Sequence, residues 1–197
     1  GYDIHDLVAS TTFEEVCFLL WHARLPSRAE LGDMKSAMVS ARTLPESILR
    51  MIRFLPPDNG MAALRTMTSA LSHFDPDSDN SSKEANLRKA IRLTSQIGSL
   101  VATHARLASG GTPIDPDPAL SHAANFLYML TGERPTPEAT KALDVALVLH
   151  ADHELNASTF AARVAAATLT DIHSAIVAGI GTLKGPLHGG ANANVMR

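Results

Sequence analysis

Apolar residues recur at helical spacing along most of the chain. The longest such segment covers residues 84–108, where the apolar positions are Leu87, Ile91, Leu93, Ile97, Leu100, Val101, Ala105 and Leu107. This spacing places them on one face of a helix with 3.6 residues per turn. No segment alternates between apolar and polar residues as a half-buried strand does. The pattern predicts an all-α fold.

Helix start and stop signals divide the chain into segments. Thr11 or Thr12, with Glu14 or Glu15 three residues later, has the spacing of a capping box, and Thr136 precedes a proline at the first helical position. The predicted helices cover about 12–25, 27–41, 46–54, 61–71, 84–108, 119–130, 137–151, 156–168 and 171–184. The polar segment 75–82 is predicted to be a solvated loop.

Composition narrows the class of protein. A chain of 197 residues with 45% hydrophobic residues buries roughly 70% of its unfolded surface, which favours one domain over two. The net charge of −3, with both signs interspersed, argues against a nucleic-acid partner. No apolar run reaches the roughly 18 residues of a membrane span, and no signal peptide is evident.

The single cysteine, Cys17, lies in an apolar run and excludes a disulfide within the chain. A thiol in such surroundings is predicted to be buried and unreactive.

Two segments near the C-terminal end carry the candidate chemistry. Residues 150–159 read His-Ala-Asp-His-Glu-Leu-Asn-Ala-Ser-Thr, and residues 185–192 read Gly-Pro-Leu-His-Gly-Gly-Ala-Asn. Small residues around a histidine let the backbone approach a ligand closely. Together with the opening Gly-Tyr-Asp-Ile, these segments resemble the citrate synthase family, including 2-methylcitrate synthase, and the resemblance covers nearly the whole chain.

The resemblance implies an all-α, multi-helical large domain over residues 1–197 that lacks the family's small domain. The small domain supplies a second catalytic histidine, a catalytic aspartate and substrate-binding arginines, so the chain resembles an internal piece of the enzyme. Residues 189–197 would then begin the connection toward that domain. A piece of this kind is expected to be inactive alone.

The resemblance also implies an acyltransferase of the tricarboxylic acid cycle, which condenses acetyl-CoA with oxaloacetate to give citrate and CoA. Such enzymes use no cofactor. A 2-methylcitrate synthase using propionyl-CoA is the alternative within the family. The implied assembly is a homodimer in the cytoplasm, or in the mitochondrial matrix of a eukaryote.

By resemblance, His188 matches the residue that donates a hydrogen bond to the thioester oxygen, and His153 matches an oxaloacetate-binding histidine. Leu187 matches a contact to the CoA moiety. The residues expected to support the site are Asn156, Ser158 and Gly189. The structural alternatives are a loop histidine bonded to local backbone for His188, and helix capping for Asn156 and Ser158.

Other readings of the histidines stay open. His150 and His153 are three residues apart, which invites a zinc hypothesis, but they match neither H-E-x-x-H nor H-x-x-E-H, so no metal is predicted. A structural role for His150 is favoured. The remaining histidines are expected to be surface residues or satisfied core residues: His5, His22, His73, His104, His122 and His173.

Two hypotheses from other functional classes also remain open: a helical interaction module without catalysis, and a metal-dependent hydrolase. Segments 84–108, 161–168 and 172–183 are rich in small residues on apolar faces. Their spacing favours packing within the chain. The family resemblance instead favours a homodimer interface.

Overall fold

The structure, a computed structural model, describes residues 1–189 and contains only helices and their connections in that range. A short 3-10 helix, Ser72–Phe74, lies between the fifth and sixth α-helices. The α-helices are α1 Ile4–Ser10, α2 Phe13–His22, α3 Arg28–Ala41, α4 Glu46–Ile52, α5 Gly60–Leu71, α6 Lys83–Ala108, α7 His122–Thr131, α8 Pro137–His150, α9 Ala157–Ala167 and α10 Ile172–Leu183. The predicted all-α class is confirmed.

Helix α1 is not among the predicted helices. It is short and buries only Leu7, so it has no periodic apolar face to detect. Local bonds define it instead. The Asp3 carboxylate accepts the backbone N–H of His5 at 2.8 Å, and the Thr11 hydroxyl donates to the Leu7 carbonyl at 2.6 Å.

The structure decides which glutamate caps α2. Glu15 accepts both the backbone N–H and the hydroxyl of Thr12 at 2.8 Å, so the capping pair is Thr12 with Glu15. Glu14 is buried instead and accepts the backbone N–H of His122, the first residue of α7, at 2.9 Å. A carboxylate from one helix thus satisfies the free N-terminal donor of another.

The chain folds as two compact units, each built from two separate stretches. The first unit consists of Gly1–Thr43 and Thr94–His153, and the second consists of Leu44–Leu93 and the chain from Glu154 onward. That residues 1–197 form one partial domain, with 189–197 leading to further chain, stays a prediction. Of that connecting segment, only Gly189 lies within the described residues.

In the first unit, α1, α2 and α8 enclose an apolar cluster formed by Leu7, Val16 and Val148. Cys17 follows Val16 in α2 and is 5% exposed. Burial raises the pKa of its thiol to about 12, so the reactive thiolate is scarce at neutral pH. The predicted burial of the thiol is confirmed, and its raised pKa supports the expected low reactivity.

In the second unit, α10 packs against α9 and α5. Gly179 of α10 marks the close approach to α9, because a Cβ there would lie 3.5 Å from the Ser158 carbonyl oxygen and 3.7 Å from the Ala162 Cβ. Small residues on these two helices therefore serve packing within the chain.

The expectation of a solvated loop over 75–82 is wrong for two of its side chains. Asp75 is only 4% exposed and Asp77 only 14% exposed at the side chain. Arg92 of α6 bonds both carboxylates, and Arg88, one turn earlier, bonds Asp77. Because the two arginines neutralise the aspartates and donate hydrogen bonds to them, the carboxylates can be buried without full hydration by water.

We expect the stability of the first unit to depend on pH through His122, which is 8% exposed. Burial lowers the pKa of His122 to about 4. The unfolded chain, with a histidine pKa of about 6.5, therefore binds the proton first as pH falls. The free energy of unfolding should decrease by about 3 kcal/mol between pH 6.5 and 4.

Urea denaturation at a series of pH values measures this loss. His122→Phe should reduce the pH dependence and leave the part due to the other buried histidine, His173, whereas His5→Phe, a change at an exposed histidine, should leave all of it in place. An unchanged slope in the His122 variant would contradict the assignment.

Candidate active site

His188 is presented by a tight turn that directly follows α10. The backbone N–H of Gly185 donates to the Thr182 carbonyl at 3.0 Å, and the backbone N–H of His188 donates to the Gly185 carbonyl at 3.0 Å. These bonds continue the end of the helix into the turn. The position of the His188 backbone is therefore set by the end of α10.

Gly189 allows this turn to fold back on the helix. A Cβ at this position would lie 2.5 Å from the Leu183 carbonyl oxygen and 2.6 Å from its Cδ1, well inside normal non-bonded contact. A glycine is therefore required by close packing. The turn next to His188 is thereby held against the last turn of α10.

The side chain of His188 is held by the start of α9. Asn156 caps this helix, its side-chain oxygen accepting the backbone N–H of Thr159 at 3.0 Å. Ser158 consequently lies in the first turn, where its Oγ is 2.8 Å from Nε2 of His188. The structure thus brings Ser158 and His188 together, and it gives Asn156 the capping role that was its alternative.

The ring of His188 has a second nitrogen, Nδ1, on its other side. A neutral imidazole has one N–H and one acceptor nitrogen, so a hydroxyl that donates to Nε2 leaves the proton on Nδ1. The arrangement can therefore present a single hydrogen-bond donor to a bound molecule. A positioned donor of this kind is what stabilisation of a developing negative charge on oxygen requires.

Leu187 and His153 differ in their surroundings. Leu187, next to His188, is fully exposed and offers an apolar contact to a ligand at this turn. His153 is exposed and is the last residue of the first unit, whereas Ser158 and His188 belong to the second. The convergence of His153 and His188 on one cleft stays a prediction.

His150 has a local bonding partner. Its Nδ1 lies 2.7 Å from the Ala146 carbonyl oxygen one turn earlier in α8, so the ring N–H donates to backbone. Within residues 1–189, no three histidine, cysteine or acidic side chains are grouped as metal ligands would be.

His173 departs from the expectation of a surface or satisfied core histidine. It is 1% exposed, and neither ring nitrogen has a hydrogen-bond partner. Sequence reasoning also missed the ion pairs that lie beside it, from Arg92 to Asp75 and Asp77. The available signal was the pair Arg88 and Arg92, which lie at i and i+4 on one face of α6.

The whole chain matches the family model described as citrate synthase, C-terminal domain, over residues 1–197. The chain therefore belongs to the citrate synthase family. It is 49% identical over 199 residues to citrate synthase 2 of Bacillus subtilis, covering all of this chain and 54% of that protein. It is 42% identical to the 2-methylcitrate synthase of Mycobacterium tuberculosis, covering 50% of that protein.

Solved structures show the same architecture. The citrate synthase of Pyrobaculum aerophilum is 40% identical with a TM-score of 0.94, and the match covers 98% of this chain and 50% of that one. The Thermoplasma acidophilum citrate synthase, in a ternary complex with carboxymethyl coenzyme A and oxaloacetate, is 31% identical with a TM-score of 0.92 over 97% and 50% of the two chains. The chain thus spans about half the length of these relatives.

Among the described helices, none combines the length and the hydropathy needed to span a membrane.

Proposed function

We propose that the chain forms the part of a citrate synthase that carries the hydrogen-bond donor for enolisation. In this reaction the methyl group of acetyl-CoA loses a proton to a base. The resulting enol or enolate attacks the ketone of oxaloacetate, and hydrolysis of the thioester then releases citrate and CoA. The observation that carries the proposal is the 2.8 Å contact between Ser158 and His188 within the Gly-Pro-Leu-His-Gly turn.

His188 acts as a neutral donor in this proposal. The Ser158 hydroxyl donates to Nε2, which places the ring proton on Nδ1, facing the thioester oxygen. A neutral imidazole is a suitable partner for a weakly acidic enol, and it avoids the cost of burying a cation with the substrate. The proton acceptor for the methyl group belongs to the family's small domain.

His153 binds the keto acid, and Leu187 contacts the CoA moiety. The exposed imidazole of His153 can donate to a carboxylate or ketone oxygen of oxaloacetate. Leu187 is fully exposed beside the donor, so the apolar part of an acyl-CoA can cover it.

Acetyl-CoA is the proposed acyl donor. Over the aligned residues, this chain is 49% identical to a relative named citrate synthase and 42% identical to one named 2-methylcitrate synthase, so both acyl groups belong in the assay. A protein of the relatives' full length that contains this chain should release CoA faster with acetyl-CoA than with propionyl-CoA in the presence of oxaloacetate. The reverse order would assign it as a 2-methylcitrate synthase.

A homodimer in the cytoplasm is the proposed assembly and location. Phe160 and Val164 lie one turn apart on α9 and are 59% and 52% exposed, giving an apolar face that a second copy can cover. Sedimentation of the full-length protein tests the dimer. A monomer at micromolar concentration would exclude it.

We expect the 197-residue chain alone to form no citrate. The proposed base is not among the residues assigned to this chain, and a donor without a base cannot remove the methyl proton. Incubation with acetyl-CoA and oxaloacetate, with thiol detection of CoA, measures this. CoA release above the uncatalysed rate would contradict the division of roles. Absence of release from the full-length protein as well would favour a non-catalytic interaction module.

Ser158→Ala in the full-length protein should lower kcat about fivefold, since one net hydrogen bond to the ring is worth about 1 kcal/mol. The KM for oxaloacetate should change little, because Ser158 contacts the donor only. Ser40→Ala is the matched control: it also removes a hydroxyl bonded at 2.9 Å, to the Ser36 carbonyl, but on an exposed part of α3. Equal kcat for the two variants would exclude the proposed role of Ser158.

A further inference from the structure

The first turn of α10 adjoins a group of buried and partly buried ionisable side chains that has no role in the proposed chemistry. The group consists of Asp75, Arg92, Asp171 and His173. His173 is its central member, 1% exposed with neither ring nitrogen hydrogen-bonded. Buried polar atoms nearly always have partners, so an imidazole without any partner requires an explanation.

The His173 ring lies between two carboxylates. Nε2 is 3.4 Å from Oδ2 of Asp75, and Nδ1 is 3.6 Å from Oδ1 of Asp171. A neutral imidazole carries only one N–H and cannot donate to both carboxylates, whereas a protonated ring carries one N–H toward each. Movements of about 0.5–0.9 Å would bring both contacts to the length of charge-assisted hydrogen bonds.

Both carboxylates are held by other partners. Arg92 donates to Asp75 through Nε at 3.0 Å and through a terminal nitrogen at 2.5 Å. Asp171 is the N-cap of α10 and accepts the backbone N–H and the hydroxyl of Ser174 at 2.9 and 2.6 Å. Protonation of His173 would therefore draw the ring, and with it the first turn of α10, toward the fixed Asp75.

The charged groups around the ring oppose one another. Asp75 and Asp171 favour the protonated ring, whereas Lys89 and Arg92 disfavour it. Lys89 is fully buried and donates to the Asn80 carbonyl at 2.7 Å, so its charge cannot move away. Burial is the largest influence and lowers the pKa of His173 below its usual range. The ring is neutral at pH 7 and takes up a proton in acid.

The opposite end of α10 carries His188. The helix runs without interruption from Ile172 to Leu183 and leads directly into the turn at Gly185. Along its length, Gly179 packs closely against the Ser158 carbonyl. A displacement of α10 relative to α9 would therefore change the position of His188 relative to Ser158.

We propose that His173 is a positioning residue for His188. When neutral, it leaves α10 where the contact between Ser158 and His188 forms. When protonated, it binds Asp75 and Asp171, displaces α10 and misaligns the donor. The catalytic consequence rests on the proposed function, but the coupling between the two histidines does not.

The coupling is tested on the 197-residue chain by NMR titration of assigned histidine rings. The His188 signals should show, besides their own inflection, a second one below pH 6.5 that coincides with the titration of His173. Asp171→Asn keeps a good N-cap residue but removes one negative charge facing the ring, so the second inflection should move to lower pH. His173→Gln should abolish the second inflection. If that variant does not fold, Asp171→Asn still tests the coupling.

A single inflection at His188 while His173 titrates would overturn the proposal, as would an unmoved second inflection in Asp171→Asn. In the full-length enzyme, kcat should fall in acid along the His173 titration while the KM for oxaloacetate stays constant. His173→Gln should remove that acid limb of kcat. If the full-length protein proves inactive, the NMR result still decides the coupling, so failure of the proposed function and failure of this inference are distinguishable.

Discussion

His188→Ala in the full-length protein should lower kcat by about 10²–10³-fold. This is the typical cost of removing one well-placed donor from the position where negative charge develops. The His188 ring is only half-buried and bonds the Ser158 hydroxyl. Its removal should therefore change the stability of the folded protein little. Steady-state kinetics with saturating acetyl-CoA and oxaloacetate, with a thermal melt of the same sample, measures both effects.

His153→Ala serves as a contrasting variant. It should raise the KM for oxaloacetate with a smaller change in kcat, because it removes a contact made equally in the ground and transition states. His5→Ala, at an exposed histidine of α1, controls for the loss of an imidazole. Near-normal turnover in His188→Ala, or identical kinetic effects of the His188 and His153 changes, would show that these roles are wrongly assigned.

Arg92→Met should lower the free energy of unfolding of the 197-residue chain by about 3 kcal/mol. Methionine keeps much of the side-chain volume but removes the charge that neutralises Asp75, which is only 4% exposed. Removal of one partner from a buried ion pair leaves the other charge uncompensated, and losses of about 3–5 kcal/mol follow. The lower value applies because Arg92 retains 21% exposure. Urea denaturation at pH 7 gives the measurement.

Arg88→Met is the matched control. Arg88 lies one turn from Arg92 on the same helix, but it is half exposed and bonds only Asp77. Its replacement should therefore cost far less stability than that of Arg92. Asp75→Asn combined with Arg92→Met should recover part of the loss, because the uncompensated carboxylate is gone. Equal losses for the two arginine variants would contradict the assigned burial of the Asp75 pair.

The helices were largely predictable because their signals are local. An apolar residue every three or four positions defines α6, and Thr136 with Pro137 marks the start of α8. Helix α1 escaped prediction because it buries one side chain only, too few to produce a periodic pattern. The sequence could not decide whether Glu14 or Glu15 caps α2, because Glu14 accepts a hydrogen bond from His122, which is 108 positions away.

The candidate site was predictable in part. The sequence around His188 is distinctive enough to indicate the family, and Ser158 was expected to support it. The contact between them was not predictable from spacing, because the two residues lie thirty positions apart in the sequence. That contact depends on the close packing of α9 and α10 at Gly179.

By itself, then, the sequence determined the helical class, most helix boundaries and the family, since each depends on spacing or identity along the chain. The tertiary structure decided which polar residues are buried and what they face. From the sequence, Asp75 and Asp77 were expected to be solvated, but in the folded chain Arg92 bonds both carboxylates. The sequence also gave no sign that His173 lies between two carboxylates. Burial and charge compensation arise between residues distant in sequence, so only the folded chain specifies them.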